Sequence, residues 1–285
     1  MTSVAVVGLG AMGGRIARRL LESGHELVVW NRDPARAGLL VELGATLAET
    51  PSEAARQTDV VLTMVADPAA LRDVTEGADG VLAGASARTT VIQMSTVSPA
   101  ATARLASSLP PEGLLDAPVL GSVTEAEAGA LVVFVGGHPT PVERWSPFLA
   151  ALGAVLPVGP VGAGTAAKLV ANTTLLGVLG VLGEALALAD GLSLPPEVAF
   201  RVLATTPLAG QAERRRRSVE SGRYPARFAL SLARKDADLI LDTARSSGIE
   251  LRLTAAAGSW FAEAEEAGLG DRDYSAVLER VLGRR

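Results

Sequence analysis

The chain contains no cysteine, which removes disulfides, thiolate nucleophiles, iron–sulfur clusters and thiolate zinc sites together. Histidine is scarce as well. His25 and His138 are the only two, far apart in sequence and without metal-ligand spacing, so a metal-dependent mechanism is not expected. Basic residues are outnumbered, 26 against 31 acidic, and the net charge is −5. A nucleic-acid-binding chain normally carries a net basic face, so that partner class is not expected. The one basic cluster, Arg214 to Arg217, has no interleaved aromatics and reads as a solvated helix face. No basic leader with an apolar run and cleavage site precedes the first apolar strand, which points to a cytoplasmic protein. The apolar run from Leu169 to Leu182 is shorter than the roughly 20 residues of a membrane span. It also holds Asn172, Thr173 and Thr174, so a buried helix is expected there and no membrane partner.

What is present suits two domains. A chain of 285 residues, 48% of them hydrophobic, can bury sizeable cores. The first part alternates short β-branched runs ("SVAVVGLG", "ELVVWN", "DVVLTMV", "TTVIQMST", "LLDAPVLG") with helical patterns. That alternation is the signature of an α/β fold with a parallel sheet. A further strand pair, "ALVVFVGG" and "AVLPVG", brackets a helix starting near Pro141. After Gly164 no strand pattern recurs, and helices broken at Gly191, Pro207, Pro225, Gly248 and Gly270 are expected. These readings place an α/β domain at residues 1–161 and an all-α domain at 162–285, opened by a long interdomain helix.

"GLGAMG" supplies Gly8, Gly10 and Gly13 between an apolar strand and an amphipathic helix, the context a dinucleotide-binding G-x-G-x-x-G needs. Gly8 permits the tight turn, Gly10 lets a pyrophosphate approach the backbone, and Gly13 allows helix to pack on strand. The segment Gly8, Leu9, Gly10, Ala11, Met12, Gly13 is thus the expected phosphate cradle, with the helix N-terminus stabilising the charge. The second strand ends in "WNRDP". An acidic residue at that tip selects NAD, whereas an arginine accommodates the additional phosphate of NADP. Asn31 and Arg32 occupy the tip, and Asp33 before Pro34 reads as a helix cap. NADPH is the expected cofactor, with Arg32 on its 2′-phosphate.

Lys168 is the only charged residue between Arg144 and Glu184. Lysine is almost never fully buried without a partner or a task, so either its stem snorkels to solvent or its ammonium group is held against something. Asn172, four residues on, shares its helix face.

The motifs "GLGAMGGRIARRLLESGHELVVWNR", "MST", "DAPVLGSVTEAEAGALVVFVGG", "GAGTAAKLVANT" and "RKDADL" resemble, in that order and over essentially the whole chain, the β-hydroxyacid dehydrogenases. "YPARFALSLARKDADLIL" and "GLGDRDYSAV" look most like their glyoxylate and succinic semialdehyde reductase branch. The resemblance implies a Rossmann-type N-terminal domain, an all-α C-terminal domain through which members typically form homodimers, and an active site in the cleft between the two. It places the catalytic lysine at Lys168 and its amide neighbour at Asn172. It places cofactor contacts at Met64, Val65, Thr96 and Lys235. An ammonium at Lys168 can then polarise a substrate carbonyl and donate a proton as hydride arrives at carbon. Gly177, Gly180 and Gly183, three residues apart, suit close helix packing within a dimer.

One stretch departs from the pattern. Members acting on small carboxylates usually carry a serine followed by two small residues after the Pro-Val, and this chain has "PVLGS": Leu120 stands where that serine would be, while Gly121 and Ser122 remain. Backbone amides at Gly121 and Ser122, aided by the Ser122 hydroxyl, remain to hold a substrate carboxylate, while Leu120 shifts the expected substrate toward a less polar carbonyl or a C=N bond. Loss of one hydrogen bond to a charged group costs about 1.5 to 3 kcal/mol, enough to change substrate preference. The expected activity is reduction of a small aldehyde or ketoacid, with NADPH-dependent imine reduction as the alternative acceptor. A dinucleotide-binding sensor without turnover is the alternative of another class, although such a protein has no reason to keep Lys168 and Asn172.

Overall fold

The computed structural model describes residues 3–283. The chain divides into two compact units, Met1–Leu169 and Val170–Arg285.

The first unit is built on a sheet in which β3 (Thr46–Leu47), β2 (Glu26–Trp30), β1 (Ser3–Val7), β4 (Val60–Thr63), β5 (Thr90–Gln93) and β6 (Leu114–Asp116) lie side by side in that order. All of these neighbours pair in parallel. This is the order of a dinucleotide-binding doubly wound sheet. The β-branched runs explain why both faces are covered. Val4 and Val6 of β1 join Val29, Val60, Leu62 and Ile92 in one core, with Ile16 and Leu20 of the helix Ala11–Glu22 packed on it. Ala5 and Val7 point the other way, into a second core with Val28, Val61 and Val91. Alternation along a strand thus supplies two apolar faces, as a parallel sheet sandwiched by helices requires.

β6 runs on into β7 (Val119–Leu120), and both pair antiparallel to β8 (Leu131–Gly137). β9 (Gly153–Gly159) pairs parallel to β8 and closes the sheet. The strand pair expected at "ALVVFVGG" and "AVLPVG" is β8 and β9. β3 was not legible in the sequence, because it is two residues long with both side chains exposed.

The second unit is helical. The helix Ala163–Gly191 leads into it, followed by Pro196–Leu203, Ala209–Ser221, Leu230–Ser246, Arg252–Ala264 and Val277–Val281. These helices end at or near the expected glycines and prolines, and Gly248, just after the fourth, has a φ of +70° that only glycine adopts readily. The long helix exceeds the apolar run that marked it in the sequence and is long and apolar enough to cross a membrane. Its Leu176, Leu179 and Leu182 are nonetheless buried within the fold. Gly183 is needed inside the chain: a Cβ there would lie 2.8 Å from Val281 and 3.2 Å from Leu278. Its packing partner is therefore intramolecular, whereas Gly177 has open space beside it.

The arginine run differs from the expectation at one position. Arg214 and Arg217 are exposed, but Arg215 is buried. Its guanidinium lies 3.6 Å from the Asp273 carboxylate, stacks 4.7 Å over the Tyr274 ring and donates to the Tyr274 hydroxyl. A run of like charges hides the one member that the helical period turns inward.

Candidate functional site

The glycine turn follows β1. Gly8 has a φ of +99° and its amide donates to the Trp30 carbonyl at 2.9 Å. A Cβ at Gly8 would strike the Met64 carbonyl, and one at Gly13 would strike the Gly8 carbonyl. These two glycines are explained by the protein's own backbone. Gly10 is not: a Cβ there would meet no atom within 4 Å. Gly10 also opens the helix Ala11–Glu22, whose start has no side-chain cap and no acidic residue in its first turn. Uncapped amides at a helix N-terminus and unfilled space in front of them fit a diphosphate.

The tip of β2 is tied to this turn. The Asn31 side-chain oxygen accepts from the Leu9 amide at 2.8 Å, and its Nδ2 donates to the Asp33 carbonyl at 2.9 Å. Asn31 therefore shapes the cradle from behind. The Asp33 carboxylate accepts from the Ala35 amide at 3.1 Å, the capping role read from the Asp-Pro pair. Arg32 is exposed, and no ion pair engages it among the described residues.

Beside the turn, the end of β4 is linked to the ends of β1 and β5. The Met64 amide donates to the Val7 carbonyl at 2.9 Å, and the Val65 amide to the Ser95 hydroxyl at 2.9 Å. Met64, Val65 and Thr96 are each partly exposed at the carboxyl edge of the sheet, Met64 and Val65 against the glycine turn.

Lys168 is positioned through Asp116, a residue the sequence reading did not single out. Asp116 closes β6 and is fully buried. Its carboxylate accepts from the Gly162 amide at 3.0 Å and from the Thr165 amide at 2.7 Å, so it satisfies the first turn of the long helix. Burial pushes its carboxyl above the usual range, against the pull of these same bonds. A Cβ on Gly164 would collide with the Asp116 carbonyl, and one on Gly136 with its carboxylate. Thr165 also shares a 2.8 Å hydroxyl–hydroxyl bond with Thr102. Lys168 follows three residues later and is 8% exposed, so its stem does not simply run out along the surface.

The loop after β7 departs from the expectation for Ser122. Its amide and hydroxyl both donate to one oxygen of Glu125, at 2.8 and 2.5 Å. Two of the three groups expected to hold a substrate carboxylate, the Ser122 amide and hydroxyl, already hold a carboxylate of the chain. The signal was in the sequence, since Ser122-x-x-Glu125 is the capping-box spacing. Leu120 is half-buried, and Gly121 has a φ of +133°.

In the second unit, Asn172 is 2% exposed and its Nδ2 donates to Asp236 at 2.7 Å. Lys235 Nζ lies 2.8 Å from the other Asp236 oxygen. Asp236 is thus a buried acceptor that fixes the Asn172 amide, and Lys235, expected on the cofactor, is paired with it. His138 caps the helix Pro139–Leu149 and lies 3.3 Å from Glu112, while His25 packs edge-on against Phe148; neither takes a catalytic position. Among the described residues no group of histidine and carboxylate side chains could hold a metal.

Comparison with known proteins finds relatives along the whole chain. Residues 3–165 match the family model of the NAD-binding domain of 6-phosphogluconate dehydrogenase, and residues 162–281 match that of the NAD-binding region of NADP-dependent 3-hydroxyisobutyrate dehydrogenase. The chain is 34% identical to 3-sulfolactaldehyde reductase of Escherichia coli, over 99% of this chain and 96% of that one. It is 32% identical to chloroplastic glyoxylate/succinic semialdehyde reductase 2 of Arabidopsis thaliana, over 98% and 79%. Among solved structures, the 3-hydroxyisobutyrate dehydrogenase of Mycobacterium tuberculosis, determined with L-serine, superimposes with a TM-score of 0.88 at 28% identity, covering 99% of each chain.

Proposed function

The chain belongs to the 3-hydroxyisobutyrate dehydrogenase family of NAD(P)-dependent hydroxyacid dehydrogenases, and from that premise we propose that it reduces the carbonyl of a small aldehyde or ketoacid, with NADPH as hydride donor and Lys168 as proton donor. The observation that carries the reading is Lys168 itself, a lysine 8% exposed on a helix whose first turn is fastened to the sheet by a buried carboxylate. Bound at the glycine turn, the nicotinamide cofactor supplies the hydride.

The residues of the chain supply the rest. Gly8 to Gly13 hold the diphosphate through backbone amides, and Arg32 meets the 2′-phosphate, which favours NADPH over NADH. Met64, Val65 and Thr96 flank the nicotinamide. Lys168 donates a hydrogen bond to the carbonyl oxygen, stabilises the charge that grows there, and transfers a proton to it. Asn172 follows Lys168 by one helical turn, held by Asp236 with its carbonyl oxygen left as an acceptor. A homodimer is consistent with the exposed Val170, Val181, Leu188 and Leu192 of the long helix.

The test is NADPH consumption by purified protein against a panel of small aldehydes, ketoacids and one cyclic imine, with Lys168→Ala as control. The reading expects carbonyl turnover that falls by at least a hundredfold in the variant. Near wild-type turnover in Lys168→Ala overturns it, and imine turnover alone replaces the acceptor.

A further inference from the structure

The loop at Ser122 leaves the sheet at its carboxyl edge, the edge that carries the glycine turn. β7 continues the path of β6 along β8, with Asp116 opposite Gly136 and Leu120 opposite Val132, so the chain emerges beyond Leu120 on the side where β1 also ends. The six-residue helix that follows, Val123–Ala128, packs beside the helix of the glycine turn, and Arg15 Nε lies 2.7 Å from Glu127.

At this edge Ser122 offers two donors, and a single Glu125 oxygen takes both, at 2.8 and 2.5 Å. Such bonds to an ionised acceptor are short and about twice as strong as neutral ones. A substrate carboxylate seeking the same donors must displace one that is covalently tethered three residues away, and it must approach a group of its own charge. An uncharged substrate end meets neither cost. The neighbouring half-buried Leu120 adds apolar surface on the same loop.

Resting on the reductase reading and on the expectation that Gly121 and Ser122 receive the substrate, we propose that Glu125 is an internal stand-in for a substrate carboxylate. It narrows the aldehyde-or-ketoacid reading: the site is set toward small aldehydes and ketones whose end facing Ser122 is uncharged, and against 2-oxoacids such as glyoxylate. Glu125 works through the donors of Ser122 and does not touch the reacting carbon.

The test compares propanal with glyoxylate in wild type, Glu125→Gln and Glu125→Ala. The amide of the first variant still gives Ser122 an acceptor, which keeps the helix start capped, while the second empties the position. In parallel, the affinity of glycolate for the cofactor-loaded proteins is measured by calorimetry. The wild type is expected to favour propanal by at least tenfold in kcat/KM. Both variants should move that ratio at least tenfold toward glyoxylate, mainly through a lower KM for glyoxylate, and bind glycolate at least tenfold tighter. A wild type that favours glyoxylate, or variants that move neither the ratio nor glycolate affinity, overturns the proposal. If no carbonyl is turned over by any form, the reductase reading fails instead, and glycolate affinity alone decides the part played by Glu125.

Discussion

The carboxylate of Asp116 holds the amide of Thr165 at 2.7 Å, joining the end of β6 to the first turn of the helix that carries Lys168. The buried side chain of one sheet residue thereby fixes where that helix starts, and with it where the ammonium group of Lys168 stands. An error of about 1 Å in such a placement can cost about a hundredfold in rate.

Asp116→Ala leaves the Gly162 and Thr165 amides without their acceptor. A buried unsatisfied donor costs about 1 to 3 kcal/mol, so denaturant unfolding should show a loss of about 2 kcal/mol or more. Steady-state kinetics should show kcat falling further than KM rises, because the helix start shifts while the cofactor turn stays intact. A variant with wild-type stability and kcat would refute the link.

The same carboxyl makes stability depend on pH in a defined direction. Burial raises its pKa above the ordinary value of 3.8, so the folded state binds this proton more tightly than the unfolded chain. The contribution is therefore fully present below the ordinary value and is lost as the pH rises through the raised one. Urea denaturation at stepped pH should show the stability difference between wild type and Asp116→Asn shrinking across that window. A difference that grows with pH would contradict the sign.

Arg32→Ala should weaken NADPH relative to NADH. Hydrogen bonds to a charged group are worth about 1.5 to 3 kcal/mol, equivalent to roughly a 10- to 100-fold rise in KM for NADPH, with little change for NADH. Equal effects on both cofactors, measured by initial rates, would remove Arg32 from the 2′-phosphate.

Arg215→Ala breaks a buried ion pair with Asp273 and leaves that carboxylate, 3% exposed, without its guanidinium. Breaking such a pair costs about 3 to 5 kcal/mol. Arg214→Ala and Arg217→Ala, both on exposed positions, should stay within about 0.5 kcal/mol. Thermal unfolding of the three variants separates the buried arginine from its neighbours.

Periodicity and glycine chemistry made the first unit legible in the sequence alone. Alternating β-branched runs gave its strands, and Gly8, Gly10 and Gly13 gave the nucleotide turn, because both signals are local in the chain. The capping of Asp33 was legible for the same reason, and Glu125 would have been, since Ser122-x-x-Glu125 is a short-range pattern. The two-residue strand β3 was not, because it carries no apolar alternation.

The sequence by itself therefore determined the class of fold, the cradle for a dinucleotide and the oddity of a lone lysine in an apolar helix. Only the tertiary structure decided that Asp116 anchors that helix 46 and 49 residues away, that Asp236 fixes Asn172 across 64 residues, and that Arg215 alone of its run is buried. Composition and spacing report which residues are neighbours along the chain. A buried carboxylate instead finds its donors wherever the fold closes upon it, because leaving it unpaired there costs more than any local preference.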